Sequence, residues 1–255
     1  MTSLDELAVI VDDAARNATA IPQLSLTQAI TVDEAYAVQT LSMARRRARG
    51  EHRVGVKMGL TSRTKMIQVG VDEVIWGRLT DAMRVDEGGI VKRSRYVHPR
   101  AEPELAFLMK HRLSGKVTPV EALAAVEAIA PAIEIIDSRY ADFKFALPDV
   151  VADNASSSGF VVGEWHARDI AFDNLGVVLE IDGRVKQVAS TAAILGHPLR
   201  SLVAAAEMVS RVGEALEPGA IVMAGGITAA EPLAPGMHVR ASIERLGRVN
   251  FTVEA

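Results

Sequence analysis

Two glutamates flank a proline inside an apolar run, where Arg100 to Lys110 reads RAEPELAFLMK. At strand periodicity Glu102 and Glu104 leave the same side of the backbone. Paired acids repel one another and resist burial unless something positive joins them, and a divalent cation is the simplest partner. Pro103 cannot donate to a ladder, so the spacing predicts an edge strand or a bulge at that point. The rest of the chain must then supply a further ligand and a substrate site.

Ser3-Leu4-Asp5-Glu6 and Thr31-Val32-Asp33-Glu34 both have the form of a capping box. They predict helices to about Ala18 and, through the run Ala44 to Gly50 (ARRRARG), to Gly50. Val54 to Leu60 (VGVKMGL) predicts a strand with Lys57 at its middle, followed by a short helix from Thr61 to near Gly70 and a strand from Ile75 to Leu79. Thr118-Pro119-Val120-Glu121 opens a helix that the apolar run carries to Pro131, with a strand from Ala132 to Asp137 bearing Glu134. Asp149 to Gly159 (DVVADNASSSG) reads as an irregular loop, and Asp182-Gly183 as the turn of a hairpin. A helix from about Leu199 closes at Gly213, and the end of the chain from Met237 predicts two strands turning at Leu246-Gly247.

Strands and helices do not alternate regularly, which favours an α+β fold, a mixed β roll or barrel with peripheral helices, over a doubly wound sheet. We expect a helical segment over residues 1–52 packed on a metal-binding, β-rich catalytic domain over residues 53–255. Aromatics make up only 4% of the chain, so the core must rest on Ala, Val, Ile and Leu. The net charge of -4 argues against nucleic acid as a partner, and the arginine run reads as a solvated helix end. The chain has no cysteine, which excludes disulfides and thiolate metal sites. Neither a secretory signal nor a membrane-spanning run is evident, so a cytoplasmic protein without a membrane partner is expected.

Glu102, Glu104 and Glu134 form an all-oxygen ligand set suited to Mg²⁺ or Mn²⁺, the alternative being solvent-facing strand positions. Lys57 must meet a partner or reach water; beside a metal-bound anion it could hold a carboxylate or stabilise an enolate. Asp81 could pair with Lys57 or handle a proton. Gly225-Gly226-Ile227-Thr228 would let backbone approach a ligand, with Thr228 offering a hydroxyl, or be a plain tight turn. Arg139 and Lys144, near Asp137, could receive a second carboxylate. His197 reads as a helix cap, and His98 as a support for the acid strand or an exposed side chain. The residues alone define a metal-assisted lyase or hydrolase acting on a small oxo acid.

The segments GVKMGLTS, PRAEPELAF, AIEIIDSRY, VVADNASSSGF, LGHP and AGGITAAEPLAPG, taken together, resemble the hydratase/decarboxylase family of catechol meta-cleavage pathways, related to fumarylacetoacetate hydrolase. The resemblance runs from about Thr31 to the C-terminus. It implies the fumarylacetoacetate-hydrolase-like mixed β roll, Mg²⁺ or Mn²⁺ on Glu102, Glu104 and Glu134, the active-site lysine at Lys57 and the family's aspartate at Asp81. Substrate contacts are expected at Lys57, Arg139, Gly226 and Thr228. Family members hydrate 2-hydroxypenta-2,4-dienoate or decarboxylate 2-oxohex-3-enedioate, and the segments IDSRY and GGITAA look like those of the decarboxylases. A 2-oxo diacid substrate, a homo-oligomer and a complex with the pathway hydratase follow from the same likeness. A non-catalytic scaffold partner and a C–C hydrolase of acylpyruvates, using His98 or His197, are the competing readings. Pro103 stands where relatives commonly have Ala.

Overall fold

The computed structural model of the chain describes residues 2–62, 66–67 and 73–255. Two helices come first, α1 (Leu4–Arg16) and α2 (Val32–Ala48), each begun by a reciprocal capping box, Ser3 with Glu6 and Thr31 with Glu34. The helix expected from Thr61 to Gly70 falls largely outside the described residues.

The larger of two sheets has eight strands. Its main path runs β2 (Ile75–Thr80), β1 (Arg53–Gly59), β10 (Ile221–Met223), β4 (Arg100–Met109), β5 (Val126–Ile136), β6 (Ser157–Val162). Two short strands, β7 (His166–Ala167) and β11 (Glu231–Pro232), add to β5 and β4 respectively. The second sheet orders β3 (Ile90–Val91), β13 (Gly247–Val253), β12 (His238–Ile243), β8 (Gly176–Ile181) and β9 (Arg184–Ser190). The hairpin of β8 and β9 turns at Asp182-Gly183, both with positive φ, as its sequence predicts.

Period-two alternation divides the larger sheet into two faces. Val56, Met58, Leu105, Phe107 and Ile129 point to one side, where α5 (Pro198–Arg211) covers them with Leu202, Ala205 and Val209. Further along that side Ile133, Ile135 and Val161 pack on Leu179, Val239, Val249 and Phe251 of the second sheet. The other face carries the small Ala106, Ala130 and Ala132 with Phe160 and Met223, and the acids project from it. Helices α1 and α2 pack against α4 (Leu147–Ala152), burying Leu7, Val11, Val38, Val150 and Val151 together.

Three expectations change. The acid strand β4 is interior, flanked by β5 and by β10 and β11, and its pairing with β5 runs unbroken through Pro103. Pro103 is tolerated because it faces the gap between β10 and β11, where its carbonyl accepts from Ile227 N–H at 2.9 Å. The helix begun at Thr118 is only α3 (Pro119–Ala124); the apolar run after it is strand β5, with Pro131 inside. Such a run is equally compatible with a buried helix or a buried strand. Pro131 lies at the matching break between β6 and β7, its carbonyl taken by Gly163 N–H. The predicted loop over Asp149 to Gly159 is instead the end of α4, a 3-10 turn (Asn154–Ser156) and the start of β6.

Gly55 marks an irregularity in β1 where the neighbouring backbone comes very close: a Cβ there would lie 1.9 Å from the Ile221 carbonyl oxygen. Gly55→Ala should therefore destabilise the fold by about 2 kcal/mol or more, read as a lower denaturant midpoint, and a midpoint equal to wild type would contradict this packing.

Candidate metal centre

The β4–β5 register sets Glu102 directly opposite Glu134, and Glu104 opposite Ala132. Directly paired residues on antiparallel strands share a face, so all three carboxylates project together. One oxygen from each lies within 4.8 Å of the others. Lys57 joins them from β1, through the register of Lys57 with Met223 and of Met223 with Ala106. Its Nζ is 3.1 Å from Glu134 Oε2 and donates to the Ala155 carbonyl at 3.0 Å.

All four side chains are buried, Glu104 completely and Glu134 at 1% exposure. Glu104 Oε2 accepts the Gly225 N–H at 2.8 Å, while Glu104 Oε1 and Glu134 Oε1 have no hydrogen-bond partner. Burial, followed by repulsion from Glu134, pushes the Glu104 carboxyl well above the ordinary carboxylate range. Burial raises Glu134 as well, with Lys57 pulling it down. Burial alone would lower Lys57, but Glu134, Glu104 and Glu102 outweigh it and the ammonium is held more firmly than usual. Three carboxylates against one ammonium leave two negative charges when all are ionised, and two buried acceptor oxygens without donors. That is the charge and the ligand chemistry of an all-oxygen divalent cation site, and Mg²⁺ or Mn²⁺ fits these residues.

Backbone geometry completes the centre. Asn154, Ala155 and Ser156 have φ values of 50, 51 and 60°. Asn154 fixes this turn against β2, its side chain accepting from Arg78 N–H at 2.8 Å and donating to Arg78 O at 2.9 Å. Gly77 allows the approach, since a Cβ there would sit 2.3 Å from Asn154 O. The turn then presents the Ala155 carbonyl to Lys57. On the opposite side Gly225 adopts a φ of +109° with the Thr61 hydroxyl where a Cβ would be, which brings its N–H to Glu104.

The cluster opens on a cavity of about 640 Å³ lined in part by Lys57, Glu102, Arg100, Phe143, Gly226 and Thr228. Arg100 stands over the Phe143 ring, 4.1 Å from its centroid. The Thr228 hydroxyl already donates to Ala229 O at 2.8 Å.

The remaining sequence candidates lie elsewhere. Asp81 is exposed and closes a turn, accepting from His52 N–H and Ala82 N–H at 2.9 Å. Arg139 is buried but committed to Asp153 through an ion pair and to the Asp153 carbonyl at 2.7 Å, and it lines a different cavity. Lys144 is exposed beside Asp142. His197 caps α5, its Nδ1 accepting from Leu199 N–H at 3.1 Å. His98 meets the Ser138 carbonyl at 3.2 Å and the edge of Phe143. Arg100, Phe143 and the Ala155 carbonyl are cavity or site groups that the sequence did not single out. An arginine that opens a strand carries no signal of its own, although its spacing of two from Glu102 puts it on the same face.

Residues 47–254 match the fumarylacetoacetate (FAA) hydrolase C-terminal family. The chain belongs to this family. Within it, a 4-oxalocrotonate decarboxylase of a Pseudomonas species is 55% identical over 249 residues, covering 98% of this chain and 97% of the relative. A 2-keto-4-pentenoate hydratase of Paraburkholderia xenovorans (strain LB400) is 34% identical over 229 residues, covering 89% and 85%. The structure of 4-oxalocrotonate decarboxylase from Pseudomonas putida G7, complexed with magnesium and adipate, superposes with a TM-score of 0.95 at 38% identity, covering 98% of this chain and 97% of that one. The family-like β roll expected from the sequence is the fold observed.

Glu104→Gln should weaken Mg²⁺ binding by more than the roughly 10–100-fold typical of losing a supporting partner, as measured by titration calorimetry. Undiminished affinity would remove Glu104 from the centre. The raised carboxyls also set a pH dependence. Without metal, their contribution to stability is complete below the ordinary carboxylate range and is lost as pH rises through the raised values of Glu104 and Glu134. A bound cation must displace those protons, so the gain in Tm on adding Mg²⁺ should grow as pH rises and fade in acid. A pH-independent gain would contradict this.

Proposed function

We propose that this chain is a metal-dependent carboxy-lyase that decarboxylates 4-oxalocrotonate (2-oxohex-3-enedioate). The products are CO₂ and 2-hydroxypenta-2,4-dienoate, whose keto form is 2-oxopent-4-enoate. The observation that carries the reading is the buried glutamate cluster with Lys57, opening on a cavity that also holds Arg100. Arg100 lies two residues along β4 from Glu102 on the same face, roughly 7 Å by strand rise. A six-carbon diacid can then have its 2-oxo acid end at the cluster and its other carboxylate near Arg100. The P. putida G7 enzyme was solved with magnesium and adipate, itself a six-carbon diacid.

Glu102, Glu104 and Glu134 are the proposed ligands of Mg²⁺ or Mn²⁺, which when bound supplies Lewis-acid polarisation of the 2-oxo group. The bond between C5 and the remote carboxylate carbon breaks, and its electron pair moves through the conjugated system to the 2-oxo oxygen. Lys57 stabilises the negative charge that develops there, or orients the C1 carboxylate, and the three glutamates keep it protonated for that task. The cavity backbone at Gly226 and the body of Thr228 shape the 2-oxo acid end; the Thr228 hydroxyl has already committed its proton to Ala229. Arg100 is partly exposed and rests on Phe143, so it attracts the leaving carboxylate without enclosing it. That suits a group whose charge disappears in the transition state, where a tight grip would stabilise the ground state instead.

Hydration of 2-hydroxypenta-2,4-dienoate is the alternative on this scaffold, and the hydratase relative is the more distant of the two. A homo-oligomer, a complex with the hydratase that consumes the product, a cytoplasmic location and a supporting role for the helical segment over residues 1–52 belong to the same reading. The edge strand β9, with Val185 and Val188 exposed, is a surface of the kind such contacts use.

Purified protein supplied in parallel with 2-oxohex-3-enedioate and 2-hydroxypenta-2,4-dienoate in the presence of Mg²⁺ should release CO₂ from the first and leave the second unhydrated. Water addition to the dienoate without CO₂ release would replace this reading with the hydratase. Lys57→Met should lower kcat by about 10²–10³-fold while the variant still binds Mg²⁺.

A further inference from the structure

The arginine run Ala44–Gly50 has no part in the chemistry above. Its helix end, the last turn of α1, the 3-10 turn Arg93–Arg95 and the segment after β5 enclose a second cavity, of about 290 Å³. Arg16, Arg46, Arg49, Arg95 and Arg139 are among the described residues that line it. Two carboxylates, Glu51 and Asp137, also reach its wall, but both have other donors. Glu51 accepts from the Thr80 hydroxyl at 2.6 Å, and Asp137 accepts the backbone N–H groups of Val97 and His98.

Arg46 is the decisive residue. Its side chain is only 13% exposed, and its Nε is buried without a hydrogen-bond partner. The nearest carboxylate oxygens, on Asp12 and Glu51, are each 3.9 Å from its nitrogens. Asp12 cannot serve it better, because Arg45 and Arg49 already hold that carboxylate at 2.6 to 2.8 Å. Arg139 is committed to Asp153, and its charge adds to the effect of burial in making Arg46 harder to keep protonated. Arg16 and Arg95 make no ion pair among the described residues. A helix end that merely needed cations near its carbonyls would leave them in water, as Arg47 of the same run is left. Here one guanidinium is turned inward and largely stripped of solvent, with further positive charge around it and its two carboxylate neighbours both 3.9 Å away, beyond hydrogen-bond reach.

We infer that this cavity binds a small multivalent oxyanion, either phosphate or a short dicarboxylate. Guanidinium groups recognise both through paired N–H donors, and a partly enclosed site strengthens such bonds. The cavity is separate from the metal centre: none of the three glutamates, nor Lys57, lines it.

The test is calorimetric titration of the full chain with inorganic phosphate and, separately, with succinate at constant ionic strength. Each is run with Mg²⁺ and again after chelation, which separates this site from oxyanion binding at the metal. We expect saturable binding that survives metal removal, is at least tenfold weaker in Arg46→Gln and in Arg95→Gln, and is unchanged in Arg47→Gln. The arm with the tighter binding identifies the ligand source. Absence of binding in both arms, binding only when metal is present, or wild-type affinity in both variants would overturn the inference. Arg95 is exposed, so Arg95→Gln carries the test alone if Arg46→Gln does not fold.

Discussion

The structure depends on one arrangement, three carboxylates and an ammonium buried on the same face of one sheet. Taking such charges out of water is costly, and removing one partner of a buried set costs more than the set contributes. The sheet must therefore hold them in a single register. A slip of one residue between β4 and β5 would turn Glu102 and Glu104 into the apolar layer under α5 and move Phe107 to the acid face. The two prolines reinforce this constraint. Pro103 and Pro131 lie on adjacent strands at points where the outer partner strand is interrupted. Neither loses a ladder bond there.

Around that register, conformational strain positions single backbone groups. Three successive residues, Asn154 to Ser156, adopt left-handed conformations. Each costs roughly 1–2 kcal/mol for a non-glycine residue. Their outcome is one carbonyl aimed at Lys57, which keeps the ammonium in place without using up the glutamates. Gly225 does the corresponding work for Glu104 through its N–H. Strain of this kind persists when surrounding bonds over-determine it, and the paired bonds between Asn154 and the Arg78 backbone do so here.

The molecule also separates its charges. The anionic cluster faces one cavity and the arginine-lined wall faces another, with the Arg139–Asp153 pair beside the turn that serves Lys57. Burial pushes the Asp153 carboxyl up to about 6, while Arg139 opposes that shift. Arg139 is thus a member of this wall, held by Asp153, while the cations lining the cavity beside the glutamates are Lys57 and Arg100.

The acid pair of the candidate metal centre was legible because two acids at a spacing of two in an apolar strand share a face and cannot both be buried there as anions without a cation. The β-rich class followed from strands without helical alternation. Capping boxes marked both N-terminal helices, since a cap is chemistry between residues three apart. Local pattern could not separate helix from strand after Ala124, because a fully buried run has no polar face to show its period. Nor could it tell that Asp81 points to solvent or that Arg139 is claimed by Asp153, since both outcomes depend on partners distant along the chain or on the path of a turn. The sequence by itself thus determined the acids of the candidate centre, the shared face of Glu102 and Glu104, and the family likeness. Only the tertiary structure decided that Arg100 shares the cavity beside the glutamates with Lys57, which carbonyl holds Lys57 and that β4 is interior, because those follow from contacts between segments and from backbone conformations that no local pattern encodes.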